Sequence, residues 1–255
     1  MTFHTFQVEA LKIEIYPDRE ALGRAAALSA GDFLRSVLEH EPHANAIFAT
    51  GNSQLTFLRA LVDEPGIDWG RVNVFHMDEY AGMSADHPAS FRRFLREKLV
   101  DSVHPAAFFG VQGDAPDLEE ECLRYAALLA DYPPHLCCLG FGENGHLAFN
   151  DPPYADFDDP DPVKLVKLDE RSRRQQVGEG HFSQLDDVPC DAITLTIPAL
   201  LSAQKVLAVV PEARKAYAVR AALTGPVTTD CPASILRLAA HARLYLDRDS
   251  ASELL

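Results

Sequence analysis

The amino-acid sequence predicts an α/β protein, a single-domain three-layer αβα sandwich built on a mostly parallel, Rossmann-like sheet. Two observations carry this. Short β-branched apolar runs alternate along the chain with longer stretches of helical period, and parallel strands need such long right-handed crossovers, which cover the sheet on both faces. At 255 residues, with 47% hydrophobic and 24% charged residues, the chain is long enough to bury such a sheet in one unit spanning 1–255.

The elements follow in order. LKIEIY (11–16) reads as a strand, after which Asp18 caps a helix whose stripe Leu22, Ala26, Ser29, Phe33 and Val37 has the spacing of a buried face. NAIFAT (45–50) is the next strand, with LTFLRALVDE (55–64) a helix behind it. VNVFHM (72–77) is a third strand, and SFRRFLREKLV (90–100) presents Phe91, Phe94, Leu95 and Leu99 on one side of a helix. The helix ECLRYAALLADY (121–132) precedes three further strands, HLCCLGFG (135–142), AITLTI (192–197) and KVLAVV (205–210). A helix, EARKAYAVRAALTG (212–225), and a last strand, ARLYLD (242–247), complete the pattern. YADFDDPDPVKL (154–165), rich in Asp and Pro, reads as a solvated loop, and the region 154–182 is long enough to form a movable lid.

Composition excludes several classes. A formal net charge of -15 argues against a general nucleic-acid or acidic-membrane surface, so an anionic ligand needs a locally positive pocket. The N-terminus has no basic segment followed by an apolar one, and no apolar run approaches the ~18 residues of a membrane span. Five cysteines, an odd number without metal-ligand spacing, read as small buried thiols. Together these predict a reducing, cytoplasmic setting.

In parallel sheets ligands bind beyond the carboxyl ends of the strands, so the polar strand ends are the candidate site. In FATGNSQLTFL, Gly51 with Thr50 and Ser53 stands just before a helix, where unpaired backbone N–H groups suit a phosphate; an ordinary helix cap is the plainer explanation. In VFHMDEYAG, Asp78 and Glu79 point in different directions, so one can face a pocket as a base while the other is anchored elsewhere. In GFGENGHLAFND, Gly140, Gly142 and Gly145 allow close backbone approach, and His146 sits among Glu143, Asn144 and Asp151, which can fix its tautomer. In VVPEARKAYAV, Lys215 lies in the first turns of a helix. Any one of these has a structural explanation; four at one edge of one sheet point to a site.

At these residues the chain resembles the glucosamine-6-phosphate deaminase/isomerase family, which includes 6-phosphogluconolactonase relatives. ATGNSQ is similar to its phosphate loop, MDEYAGMSADHPASF to its catalytic-acid motif, GENGHLAFNDP to its ring-opening motif and RKAYAVRAAL to its lysine helix. The resemblance implies that Asp78 moves a proton from C2 to C1 of an open-chain amino sugar phosphate and that His146 helps open the pyranose ring. It also implies that Gly51, Asn52, Ser53 and Lys215 bind the 6-phosphate, with Arg173 a candidate for the family's phosphate-contacting arginine. The implied partner is a hexosamine 6-phosphate, with no metal, organic cofactor, nucleic acid or membrane, and the resemblance is compatible with a homo-oligomer. Asn144 stands where these deaminases usually carry Asp, and Asp151 where they carry Glu; slower ring opening, or Glu143 acting in place of the missing acid, is the expectation. Misplacement by ~1 Å would cost on the order of a hundredfold. The competing readings are a lactonase-type hydrolase on the same fold and a sugar-phosphate sensor without catalysis. Relatives under allosteric control continue beyond the point corresponding to YLDRDSASELL, so such control is expected to be absent.

Overall fold

The computed structural model describes residues 4–254 except 179 and 181. The strands are β1 (His4–Val8), β2 (Leu11–Tyr16), β3 (Ala44–Phe48), β4 (Val72–His76), β5 (Asp78–Tyr80), β6 (Ala107–Phe109), β7 (Leu136–Leu139), β8 (Val163–Lys167), β9 (Asp191–Leu195), β10 (Lys205–Val210) and β11 (Ala242–Asp247). The helices are α1 (Arg19–His40), α2 (Leu55–Val62), α3 (Phe91–Leu95), α4 (Asp101–Val103), α5 (Leu118–Asp131), α6 (Glu170–Gly178), α7 (Ile197–Leu201) and α8 (Ala216–Thr224).

The main sheet runs in the order β1-β2-β11-β10-β7-β3-β4-β6, parallel throughout except for the antiparallel β1–β2 pair. Its strands split their side chains between two apolar layers, as a period of two requires. Cys137, Leu139, Val206, Ala208 and Val210 pack against α5, α7 and α8, while Leu136, Cys138, Leu207 and Val209 pack against α1 and α2. The adjacent Cys137 and Cys138 therefore serve opposite layers, which is why the run LCCL is apolar without alternation. Asp18 caps α1 by accepting from the Ala21 N–H at 2.7 Å. The buried face of that helix is centred on Leu22, Ala26, Ala27, Ala30 and Leu34, so Ser29 and Phe33 of the expected stripe lie at its half-buried margin.

Winding direction locates the site. From β3 the chain steps outward to β4 and β6, then returns to the other side of β3 with β7 and steps the opposite way to β10 and β11. The reversal leaves a crevice beyond the carboxyl ends of β3 and β7.

Three sequence expectations need correction. AITLTI forms β9, which belongs to a separate antiparallel sheet of order β5-β9-β8, because its partners are Asp78–Tyr80 and Val163–Lys167. The segment 154–165 is not a loop to its end, since Val163 begins β8. The helix expected over 90–100 is not uniformly α, because a wider π-helical turn at Arg96–Val100 follows α3 and separates it from α4. The sequence pattern assigns no element before LKIEIY; there the chain forms β1, antiparallel to β2.

Candidate active site

Four parallel strands, β3, β4, β7 and β10, end at one cleft open to solvent. Thr50, Gly51, Ser53 and Gln54 line it after β3, Met77 and Asp78 after β4, Gly140, Gly142 and His146 after β7, and Lys215 after β10.

At the end of β3, Gly51 adopts φ +96, a conformation that costs glycine little, and the chain turns into the short helix that leads to α2. Gln54, 1% exposed, donates to the Val209 carbonyl at 3.1 Å and to Ser53 Oγ at 3.2 Å, tying this loop to β10. Lys215, 2% exposed, faces the same cleft from the turn before α8. A buried cation beside a helix start can hold an anion. Asn52 is not among the lining residues.

The two acids after β4 part company as expected. Glu79 is fully buried and accepts from the Tyr80, Phe91 and Arg92 N–H groups at 3.0, 3.2 and 3.0 Å and from Ser90 Oγ at 2.7 Å, so it fixes the start of α3. Asp78 faces the cleft, and its buried Oδ1 has no hydrogen-bond partner among the described residues. Burial, with the neighbouring Glu79 charge, pushes its carboxyl up to about 8.

After β7 the chain makes a tight corner closed by a hydrogen bond from the Gly142 N–H to the His146 carbonyl, 2.9 Å. The His146 ring then lies directly over Gly142, where a β-carbon would come within 2.2 Å of the imidazole Cε1. His146 Nδ1 is 2.8 Å from Asp151 Oδ1, which also accepts from Asn144 Nδ2 at 2.8 Å and Ser172 Oγ at 2.6 Å. Burial opposes ionisation of Asp151, but His146, Ser172 and Asn144 together hold its carboxyl below the usual range. An ionised carboxylate only accepts, so Nδ1 carries a proton toward Asp151, and in a neutral imidazole the Nε2 lone pair is then left for the cleft that His146 lines.

This arrangement bears on the departures at 144 and 151. The shorter Asp151 side chain reaches the imidazole. Asn144 orients the corner rather than the ring, accepting from the His146 backbone N–H at 3.0 Å while donating to Asp151. The acid hydrogen-bonded to the imidazole is Asp151, and the Glu143 carboxylate is 3.7 Å from Arg214 Nη1. Arg173 is engaged elsewhere: its Nη2 donates to the Leu185 and Val188 carbonyls, both at 2.8 Å, and it is not among the lining residues.

Sequence reasoning missed Gln54, Gln175 and Gln176, which line the cleft. Amides do not titrate, and the signal was only their position, one within ATGNSQ and two in RSRRQQ. It also missed Thr194, which pairs in register with Asp78 across β5 and β9 and accepts from the Phe149 N–H at 3.1 Å. Among the described residues no group of three or more His, Cys, Asp or Glu side chains is placed to hold a metal ion, and no helix is long and apolar enough to cross a membrane.

Residues 17–245 match the sequence family described as glucosamine-6-phosphate isomerases/6-phosphogluconolactonase. The chain is 37% identical to a glucosamine-6-phosphate deaminase of Exiguobacterium sibiricum over 218 residues, covering 86% of this chain and 84% of that one. It is 31% identical to a glucosamine-6-phosphate deaminase of Bacillus pumilus over 245 residues, 93% and 97% of the two chains. Among solved structures, a monomeric glucosamine-6-phosphate deaminase superposes with a TM-score of 0.87 at 30% identity over 94% of this chain and 99% of that one. A 6-phosphogluconolactonase from Shewanella baltica superposes at 0.75 and 19% identity over 95% and 99%, a likeness of fold alone.

Proposed function

Because the chain belongs to the family of glucosamine-6-phosphate isomerases and 6-phosphogluconolactonases, we propose that it is an amino sugar phosphate deaminase, acting as one domain to convert glucosamine 6-phosphate and water into fructose 6-phosphate and ammonia. The substrate phosphate sits against Gly51, Ser53 and Lys215, and the sugar extends toward Asp78 and His146. His146 Nε2 takes the anomeric hydroxyl proton and delivers it to the ring oxygen, which opens the ring. Asp78 then removes the C2 proton of the aldehyde form, giving an enol-type intermediate, and returns a proton to C1. The C2 imine that results is hydrolysed, releasing ammonia and leaving the ketose. Proton transfer supplies ~10²–10⁴-fold, and the anchored phosphate supplies positioning.

One observation carries this reading: a cleft-facing carboxylate whose Oδ1 has no hydrogen-bond partner among the described residues and whose carboxyl is raised to about 8 shares its cavity with an imidazole held by Asp151 and a buried lysine. Five free thiols, Cys190 exposed among them, support a reducing cytoplasm as the setting.

The test is a panel of hexosamine 6-phosphates assayed for ammonia release and for solvent deuterium incorporated at C1 of the ketose product, with 6-phosphogluconolactone opening followed in parallel. Ammonia release with exchange supports the proposal. Lactone opening without ammonia identifies a hydrolase, and phosphate-sugar binding without either reaction identifies a sensor.

A further inference from the structure

Ser172, Gln175 and Gln176 occupy positions i, i+3 and i+4 of α6 and so share one helix face. That face meets the cleft. Gln175 and Gln176 line it, and Gln175 Oε1 accepts from the Glu143 N–H at 3.3 Å. Ser172 is 2% exposed and places its Oγ 2.6 Å from Asp151 Oδ1 and 3.2 Å from His146 Nδ1. Arg174, on another side of the helix, pairs with Glu170 at the exposed surface.

A serine inside a helix commonly turns its hydroxyl back to the carbonyl one turn earlier or out to water. Here it crosses to a carboxylate 21 residues away in the chain, at a separation typical of charge-assisted O–H···O⁻ bonds. Asp151 Oδ1 thus takes donors from Asn144, His146 and Ser172, while buried Oδ2 has no partner among the described residues. The rotation of this carboxylate about its own bond is consequently set at Oδ1 alone, and the imidazole plane follows it.

We propose that Ser172 is a positioning residue for ring opening: by pinning Asp151 it keeps the proton of His146 on Nδ1 and its Nε2 turned to the substrate. Gln176 lines the substrate space from the same face, so one helix governs both the seating of the sugar and the aim of the base. This inference rests on the reading of His146 as the ring-opening group.

Steady-state kinetics of Ser172→Ala and Ser172→Thr test it beside binding of 2-amino-2-deoxyglucitol 6-phosphate, an open-chain polyol that needs no ring opening. Ser172→Ala is expected to lower kcat on the ring-closed sugar by ~10-fold while KM and polyol affinity change less than about twofold, and Ser172→Thr, which keeps the hydroxyl, should restore most of kcat. Wild-type kcat in a folded alanine variant overturns the proposal, as does polyol binding that falls in step with kcat or a threonine variant as slow as the alanine one. A second measurement needs no turnover: ring-nitrogen NMR of ¹⁵N-histidine protein, with the His146 signals assigned through His146→Gln. Ser172→Ala should convert one tautomer into an averaged pair, and unchanged nitrogen shifts overturn the role. If the wild-type protein releases no ammonia from any hexosamine 6-phosphate, the proposed function fails while the nitrogen shifts still decide what Ser172 does.

Discussion

Replacing Asp78 by Asn should abolish the chemistry and stabilise the protein, and the second effect should depend on pH. The carboxyl is raised from 3.8 to about 8, first by burial and then by the charge of Glu79. With the folded value above the unfolded one, the native chain holds a proton that the unfolded chain gives up. The stability this contributes is fully present below about pH 4 and is lost as pH rises through about 8. Complete ionisation then sets roughly 3–6 kcal/mol against the fold, the smaller figure allowing for water in the open cleft. Asn keeps the shape and carries no charge. Asp78→Asn should therefore melt slightly above the wild type at pH 5, where the loss has only begun, and at least about 5 °C further above it at pH 9. Catalysis should move the other way: kcat falls by ~10²–10⁴-fold or more and solvent exchange at C2 stops. In the wild type, kcat/KM should rise between pH 6 and 8 and level off above, as the base ionises. Calorimetry at the two pH values and deuterium exchange followed by NMR are the assays. Exchange retained in Asp78→Asn, or a stability gap identical at pH 5 and 9, would refute the assignment of the base and its burial.

Gly142→Ala puts a methyl where the His146 ring lies, 2.2 Å from Cε1, so ring-closed turnover should fall by ~10²-fold with polyol binding intact; full activity would show that the imidazole can work from elsewhere. Lys215→Met should raise KM for phosphorylated substrate by ~10–100-fold and remove competitive inhibition by inorganic phosphate; unchanged inhibition would place the anion elsewhere. Glu79→Ala strips four hydrogen bonds from a buried carboxylate and should cost about 3–5 kcal/mol in urea unfolding, leaving the start of α3 without its acceptor.

Strands buried on both faces were legible because LCCL and KVLAVV admit few other readings, and the polar ends of β3, β4, β7 and β10 do meet as their order in a parallel sheet requires. Strand partners were not legible. AITLTI looks like a main-sheet strand, and only its pairing with the residues around Asp78 assigns it to the smaller sheet. Val163–Lys167 was hidden by the Asp and Pro residues before it, although Lys164 and Lys167 suit the edge it occupies. At the site, titratable groups drew attention and amides did not, so Gln54, Gln175 and Gln176 went unremarked. The consequence of Asn144 and Asp151 was a question of reach, and reach depends on the Gly142 corner and on a serine far along the chain.

Thr194 acts as a common mooring for the two groups that handle protons. Its backbone runs beside Asp78, and its hydroxyl receives the chain just beyond His146. Neither group is therefore referenced to the distant rim of the molecule. Extra residues in the surface loop of 154–162 would cost little more than loop-closure entropy, ~0.6 kcal/mol per doubling of length, and leave the gap between carboxylate and imidazole as it is. A slip of β9 by a single residue would point Thr194 the other way and cast both adrift. The chain can drift in sequence around its perimeter far more freely than along this one short strand.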